Sequence, residues 1–213
     1  TATFRANPTD TQEDVPEDLL VTADNVYGTI EEDARRRDLT VNGLFYDPVE
    51  AKVIDYVGGL EDLDAKLIRT IGDPEIRFRE DPVRILRAIK FASRLNFGIE
   101  ENTLSAMRRH VGEIPRCAPA RLQEELIRLL TSGNAQKALT MCRDVGVLDA
   151  LIPEISDSLT QELEGKEGVL LLAQERQDYW LSLLKALDDV TTREADISTS
   201  VAFTVLLLPG YFA

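Results

Sequence analysis

The stretch that decides the fold is residues 79–95, which read REDPVRILRAIKFASRL. Its apolar side chains recur every three or four positions, and this spacing is typical of a helix that packs one face against a core. Asp followed by Pro is a preferred helix start, so we expect the helix to begin at Asp81 and Pro82. Similar spacing at 122–130 and 138–142 predicts further helices. The second half of the chain is therefore expected to be all-helical.

Before residue 79 the pattern changes to that of an α+β fold. Residues 44–47 and 52–56 are rich in β-branched and aromatic side chains and flank Asp47-Pro48, a turn signal. This arrangement predicts a β-hairpin. The other predicted elements are short helices at 30–37 and 60–66, a strand at 67–71, the end of a strand at 1–5 and a mobile loop at 6–23.

Charge is distributed unevenly along the 213 residues, whose net charge is −14. Residues 1–34 have 1 basic and 9 acidic side chains, residues 35–128 have 17 and 16, and residues 129–213 have 6 and 13. An acidic surface repels phosphates, so only the balanced middle part is suited to a polyphosphate or to RNA. The net charge of −7 on residues 129–213 argues against direct binding of RNA by this part of the chain.

Composition also restricts the class of protein. No segment reaches the roughly 20 apolar residues that span a bilayer, and the first residues do not resemble a signal peptide. Cys117 and Cys142 form no Cys-x-x-Cys motif and His110 is the single histidine, which excludes zinc fingers and histidine-based metal centres within this chain. We expect a cytoplasmic protein without membrane contact. Trp180, in a helix predicted near 169–187, is expected to pack in the core.

Asp81, Arg84 and Arg87 are three residues apart, which puts a carboxylate and two guanidinium groups along one helix face. Such a face can recognise a base, because adenine and cytosine present an exocyclic amine donor beside a ring-nitrogen acceptor. Guanine and uracil have the opposite polarity and would leave buried groups unpaired, at a cost of about 1–3 kcal/mol each. The structural alternative is that Asp81 only caps the helix.

A second cluster is Arg36-Arg37-Asp38-Leu39-Thr40-Val41-Asn42. In nucleotide sites an arginine can bind the triphosphate while an acid or amide binds a ribose hydroxyl, so Arg37, Asp38 and Asn42 are candidate ligands. The structural alternative is an arginine-rich helix end followed by Asp38 as the cap of the next turn. The cluster alone does not decide between the two.

Five blocks of sequence follow one another in a fixed order over about residues 27–131. They are Glu31-Glu32-Asp33-Ala34 with Arg36-Arg37-Asp38-x-Thr40-x-Asn42, Asp55-Tyr56-Val57-Gly58-Gly59-Leu60-x-Asp62-Leu63, Ile68-Arg69-x-x-Gly72, Arg79-Glu80-Asp81-Pro82-Val83-Arg84-x-x-Arg87-Ala88-x-x-Phe91 and Arg121-x-x-x-Glu125-Leu126. Together they closely resemble the bacterial poly(A) polymerase and tRNA nucleotidyltransferase family, the class II nucleotidyltransferases. The second block and the Arg-Phe-Arg sequence at 77–79 look more like poly(A) polymerases than CCA-adding enzymes.

The resemblance implies a nucleotidyltransferase head with a β-sheet, truncated in this chain, followed by a helical neck and body. We place the partial head at 1–72, a nucleotide-reading neck at 73–145 and an RNA-binding-like body at 146–213. The implied activity is template-independent addition of AMP from ATP to RNA 3′ ends. The implied partners are a nucleoside triphosphate and the 3′ end of an mRNA or tRNA, while no oligomeric state is implied.

The resemblance also implies roles for the candidate residues. Arg37, Asp38 and Asn42 would hold the sugar and phosphates, Asp81 and Arg84 would read the base, and Arg87 would support the nucleotide. Gly58-Gly59 would form a flexible link between head and neck. Arg121 and Glu125 would brace the base-reading helix through an i,i+4 ion pair.

Magnesium is where the chain departs from the family pattern. The reaction needs an Asp-x-Asp pair that binds two Mg²⁺ ions. Asp62-Leu63-Asp64, the only such string, lies at a predicted helix start, and we interpret it as favourable to the helix dipole rather than as a metal site. We therefore expect the metal ligands of the full enzyme upstream of Thr1, no catalytic or metal-binding residue in this chain, and no turnover by the chain on its own.

Two other functions stay open. A CCA-adding or A-adding tRNA nucleotidyltransferase would use the same base-reading pair, because that pair accepts both cytosine and adenine. A non-catalytic helical module that binds RNA or a nucleotide would agree with the missing metal carboxylates.

Overall fold

A computed structural model describes residues 28–160, 173–193 and 197–211. The strand end predicted at 1–5 and the mobile loop predicted at 6–23 lie outside these residues. The described helices are α1 (Ile30–Arg36), α2 (Gly59–Ala65), α3 (Pro74–Glu80), α4 (Val83–Leu95), α5 (Glu101–His110), α6 (Pro119–Leu130), α7 (Ala135–Val145), α8 (Val147–Leu151), α9 (Pro153–Thr160), α10 (Ala173–Arg193) and α11 (Thr199–Tyr211), with 3₁₀ helices at Thr40–Asn42 and Val111–Arg116.

The described strands form two small sheets. β1 (Leu44–Asp47) and β2 (Lys52–Asp55) pair antiparallel with Leu44 opposite Asp55, which confirms the predicted hairpin. β3 (Leu67–Ile68) pairs in parallel with β4 (Gly98–Ile99), so the chain returns to β3 after passing through α3 and α4. The predicted strand at 67–71 is therefore shorter than expected. β4 was not predicted, because two residues are too few to show a period.

The start of the helical part differs from the prediction. A separate helix, α3, precedes Asp81, and it begins where the Asp73 side chain accepts a hydrogen bond from the N–H of Glu75, with Pro74 at its first position. Asp81 ends α3, and Pro82 rather than Asp81 is the N-cap of α4, without a side-chain hydrogen bond. The sequence pattern missed α3 because its seven residues bury one side chain, that of Phe78, and show no apolar stripe.

One apolar cluster runs through the described chain from Leu39 and Ile68 across α4 to Leu206 on α11. Trp180 lies within it at 1% exposure, and its Nε1–H donates to the carbonyl of Val205 at 3.1 Å, which confirms the expected core packing. The α+β class with a mainly helical second part is also confirmed. The domain boundaries placed after residues 72 and 145 stay predictions. None of the described helices is both long enough and apolar enough to cross a membrane.

Candidate nucleotide-binding cleft

A cleft of about 660 Å³ lies where the loop after α1 meets the start of α4. Its lining brings together all six side chains that the sequence singled out as nucleotide ligands, together with two that it did not. The lining residues are Arg36, Arg37, Asp38, Asn42, Asp81, Arg84, Arg87 and Phe91. Phe91 continues the face of Arg84 and Arg87 by one turn, a spacing visible in the sequence. Arg36 was missed because spacing alone does not rank it against its neighbour Arg37.

Helix α1 carries the first group of cleft residues. It starts with a capping box, in which the Thr29 hydroxyl accepts from the N–H of Glu32 and the Glu32 carboxylate accepts from the N–H of Thr29. Towards its other end, the buried carboxylate of Asp33 binds Arg36 at 2.8 Å and Arg37 at 3.0 Å. These ion pairs hold both arginines at the C-terminal end of α1, which the helix dipole favours.

Arg37 also makes structural contacts beyond α1. Its Nη1 donates to the carbonyl of Asn42 at 2.7 Å, and its guanidinium lies 4.6 Å from the ring centroid of Phe45 on β1. Arg37 thus links the end of α1 to the hairpin while its side chain keeps 38% of its surface exposed. Its contact with phosphates stays a prediction.

Asp38 is the buried acid of the cleft. One carboxylate oxygen accepts from the N–H of Leu39 at 3.0 Å and from Asn42 Nδ2 at 3.1 Å, and the other accepts from Arg87 Nε at 2.6 Å. Burial alone would raise the pKa of Asp38, but Arg87 and these hydrogen bonds hold the pKa below its ordinary value of 3.8. Asp38 is therefore ionised at neutral pH. The alternative that it caps the next turn is wrong, because Leu39 is the N-cap there and no side chain caps it.

The 3₁₀ turn that carries Asn42 rests on α2. The Thr40 hydroxyl donates to the buried carboxylate of Asp62 at 2.7 Å, and Arg69 Nε donates to the same carboxylate at 3.0 Å. Gly59 makes close packing possible, because a Cβ on this residue would lie 2.3 Å from the carbonyl oxygen of Thr40. The Gly-Gly motif thus includes a point of tight contact beside the cleft.

Asp62 does not fit the magnesium site that the family implies. Its carboxylate is buried and is already bound by Thr40 and Arg69, so no face is open to a metal ion. It does lie in the first turn of α2, as predicted, but its tertiary contacts were not predicted. Within the described ranges, no three His, Cys, Asp or Glu side chains converge as a metal site would require.

Asp81 and Arg84 form the other wall of the cleft. Asp81 Oδ2 accepts from Arg121 Nη2 at 2.7 Å, whereas Oδ1 is buried and meets no hydrogen-bond partner among the described residues. Arg84 donates through Nη1 to the carbonyl of Arg77 and to Glu80, each at 3.0 Å. The interpretation of Asp81 as the cap of α4 is therefore wrong, and its carboxylate has one oxygen left to accept a hydrogen bond.

Helix α6 braces this wall through contacts that differ from the predicted ones. Arg121 and Glu125 were expected to pair with each other, but Arg121 binds Asp81, while Glu125 accepts from Lys90 Nζ on α4 at 2.6 Å and from Arg128 at 3.2 Å. The i,i+4 pair is therefore wrong. Pairing across the helices satisfies charges that burial between α4 and α6 would otherwise leave without a partner.

Comparison with known proteins matches the chain to two family models. Residues 1–69 match the "Poly A polymerase head domain", and residues 96–159 match the "Probable RNA and SrmB-binding site of polymerase A". Together the two models cover more than half of the chain. The chain belongs to the poly(A) polymerase and tRNA nucleotidyltransferase family. The resemblance carried by the five sequence blocks is thereby confirmed.

Individual relatives represent both branches of the family. Poly(A) polymerase I of Salmonella typhimurium is 43% identical over 142 residues, which cover 67% of this chain and 30% of that protein. A CCA-adding enzyme of Bacillus velezensis is 35% identical over 156 residues, which cover 73% of this chain and 39% of that protein. The chain thus spans about a third of the length of these curated relatives.

A solved structure supports the same assignment. A tRNA nucleotidyltransferase complexed with a primer tRNA and an incoming ATP analog superposes with a TM-score of 0.62 at 28% identity, covering 88% of this chain and 51% of that chain. The fold and the family therefore agree.

Proposed function

We propose that this chain is the nucleotide-reading part of an RNA 3′-end adenylyltransferase, which adds AMP from ATP without a template. The observation that carries the proposal is the wall formed by Asp81 and Arg84: Asp81 lines an arginine-rich cleft, and one of its carboxylate oxygens is buried without a partner among the described residues. A buried acceptor left unpaired costs about 1–3 kcal/mol, so a ligand that donates to it gains selectivity. The family membership supports the same reaction class.

The Watson–Crick edge of adenine matches the hydrogen-bonding groups of Asp81 and Arg84. Its exocyclic amine would donate to Asp81 Oδ1, and its N1 would accept from Arg84, whose Nη1 is used for Arg77 and Glu80 while Nη2 has no hydrogen bond to a described residue. Arg121 holds the other Asp81 oxygen, so the carboxylate is oriented before the nucleotide arrives. Guanine would present an acceptor to the carboxylate and would be rejected.

The opposite wall would bind the sugar and phosphates. Asp38 uses three of the about four acceptor positions of a carboxylate in its bonds to Leu39, Asn42 and Arg87, which leaves one for a ribose hydroxyl. The exposed parts of Arg36, Arg37 and Arg87 supply positive charge for a triphosphate. Magnesium belongs to the proposal for the full polypeptide only, because Asp62 does not fit it. The proposal includes an RNA 3′ end as partner and a cytoplasmic location.

The test is nucleotide selectivity measured by titration calorimetry with ATP, CTP, GTP and UTP. We expect ATP and CTP to bind at least about tenfold more tightly than GTP and UTP, which corresponds to one unpaired buried group. Asp81→Ala should abolish this preference and lower the free energy of unfolding by about 1 kcal/mol, since the Arg121 contact is lost. Asp73→Ala, which removes the cap of α3, is the matched control and should lower stability without changing selectivity.

The result that would reject the base-reading role is a preference for ATP that survives Asp81→Ala while only the melting temperature falls. Asp81 would then be structural.

A CCA-adding or A-adding tRNA nucleotidyltransferase is the second candidate. The observation that favours it is that cytosine offers the same donor and acceptor pair to Asp81 and Arg84 as adenine does. Supplying the full polypeptide that the gene encodes with ATP and CTP, and with either tRNA or generic RNA, separates the candidates. Adenylate tails on generic RNA support the proposal, restricted addition of C and A to tRNA supports the second candidate, and binding without addition indicates a non-catalytic module.

A further inference from the structure

Arg77 on α3 joins the two walls of the cleft without lining it. Its side chain is 11% exposed, and its Nη2 donates to two main-chain carbonyls, those of Arg36 at 2.8 Å and Arg37 at 2.6 Å. Its Nη1 lies 3.4 Å from a carboxylate oxygen of Glu80. The guanidinium therefore anchors the chain at the residues immediately before Asp38.

The main chain of Arg77 contacts the other wall. Its carbonyl accepts from Arg84 Nη1 at 3.0 Å and from the N–H of Asp81 at 3.2 Å. Glu80, which faces the Arg77 guanidinium, also accepts from Arg84 at 3.0 Å. A single residue thus connects the sugar-and-phosphate wall, represented by Arg37 and Asp38, to the base-reading wall, represented by Asp81 and Arg84.

Stability alone does not explain an arginine at this position. Burial and the nearby charge of Arg84 lower the pKa of Arg77, and its Nε is buried without an acceptor among the described residues. A buried charge with its partner is in general weak evidence for added stability, because a whole ion pair can often be replaced by well-packed apolar side chains without loss. What an apolar residue cannot supply is a planar fork that holds two carbonyls and a carboxylate in a defined geometry.

We propose that Arg77 is a positioning residue that sets the separation of the two walls, so that one nucleoside triphosphate contacts both at once. The proposal rests on the proposed function, because it concerns the same cleft. Arg77 itself touches no nucleotide. Its contribution is to keep Asp38 and Asp81 at the separation that an intact ATP requires, and binding that depends on such a separation is sensitive to shifts of about 1 Å.

The test uses two selectivity ratios measured on the protein by titration calorimetry. Binding of GTP relative to ATP reports the base-reading wall, and binding of 2′-deoxyATP relative to ATP reports the sugar wall. In Arg77→Lys we expect both ratios to move towards one by roughly tenfold, because a lysine ammonium cannot hold two carbonyls and Glu80 together. Arg79→Lys is the matched control, since Arg79 lies on the same helix, is exposed and has no ion pair with any described residue. It should leave both ratios unchanged.

A ratio of affinities does not depend on the fraction of protein that is folded, so this readout separates positioning from stability. Unchanged ratios in Arg77→Lys together with a lower melting temperature would overturn the proposal. If Arg77→Lys fails to fold, Glu80→Gln weakens the same junction and should move both ratios towards one by a smaller factor. Unchanged ratios in Glu80→Gln would likewise overturn it.

Hydrogen exchange distinguishes failure of this proposal from failure of the proposed function. If the unmodified protein shows no preference for ATP, the proposed function is wrong, but Arg77 can still be tested without nucleotide. Positioning predicts faster exchange of the amides of residues 37–42 in Arg77→Lys, with α10 unchanged. Equal exchange at 37–42 in both proteins would reject the positioning role.

Discussion

The cleft region and the helical region around Trp180 are built by different forces. Around the cleft, positions are set by buried or half-buried charges whose partners lie far away in the sequence, such as Arg87 with Asp38 and Lys90 with Glu125. Around Trp180, Leu184 and Leu206, positions are set by apolar packing. If the cleft binds a nucleotide as proposed, stability and nucleotide recognition should be separable, because apolar burial is non-directional whereas hydrogen-bonded charges fix direction.

The largest effect is expected from a change in the helical region. Trp180→Ala removes a fully buried ring and its hydrogen bond to Val205, and should lower the free energy of unfolding by about 3–5 kcal/mol, measured by urea denaturation. The ATP-to-GTP selectivity of the protein that remains folded should not change. Tyr179→Ala is the control. Tyr179 precedes Trp180 in the sequence, but its side chain is 54% exposed, so its loss should have little effect on stability. A loss of selectivity in Trp180→Ala would break the separation of the two regions.

A smaller effect is expected at Asp62, which supports the turn that carries Asn42 into the cleft. Asp62→Asn weakens the bonds to Thr40 and Arg69 and should lower the free energy of unfolding by about 1–3 kcal/mol, because buried donors lose their charged acceptor. ATP affinity should fall as well, since the turn that carries Asn42 rests on this carboxylate. Asp64→Asn, two residues on and exposed, should change neither quantity. Equal behaviour of the two variants in calorimetry would show that Asp62 only favours the helix dipole.

The smallest effect is expected from the pH dependence of Asp38. Its pKa is lower in the folded protein than in the unfolded chain, so the ionised carboxylate contributes stability that is present above about pH 4 and is lost as the pH falls through the folded pKa. Asp38→Asn should therefore be less stable than the unmodified protein by roughly 1 kcal/mol at neutral pH, a modest value because Arg87 is 38% exposed and partly screened. The difference should shrink below pH 4. A difference that is constant from about pH 3 to 7 would contradict the ion pair.

The sequence predicted the residues of the cleft better than it predicted their contacts. Five blocks in a fixed order, together with the three-residue spacing of Asp81, Arg84 and Arg87, were enough to identify six of the eight lining residues. The ion-pair partners of these residues could not be predicted. Local spacing favours an Arg121–Glu125 pair, whereas Asp81 and Lys90 become available as partners only after α6 packs on α4.

The same limit explains the errors in the fold. α3 has seven residues and β4 has two, so neither repeats long enough to show a period, and both depend on tertiary contacts for their stability. The longer helices α4, α6 and α10 bury regular apolar stripes and were visible in the sequence. Among the long helices, predictability thus follows apolar burial, whereas α1 and α2, which have seven residues each like α3, were predicted from signals at their ends.

A crystal structure of the protein with a non-hydrolysable ATP analogue tests the central account most directly. We predict that the adenine amine lies within about 3 Å of Asp81 Oδ1, that N1 faces Arg84, and that the ribose lies beside Asp38. A purine bound away from the start of α4, with Asp81 Oδ1 still unpaired, would contradict the account.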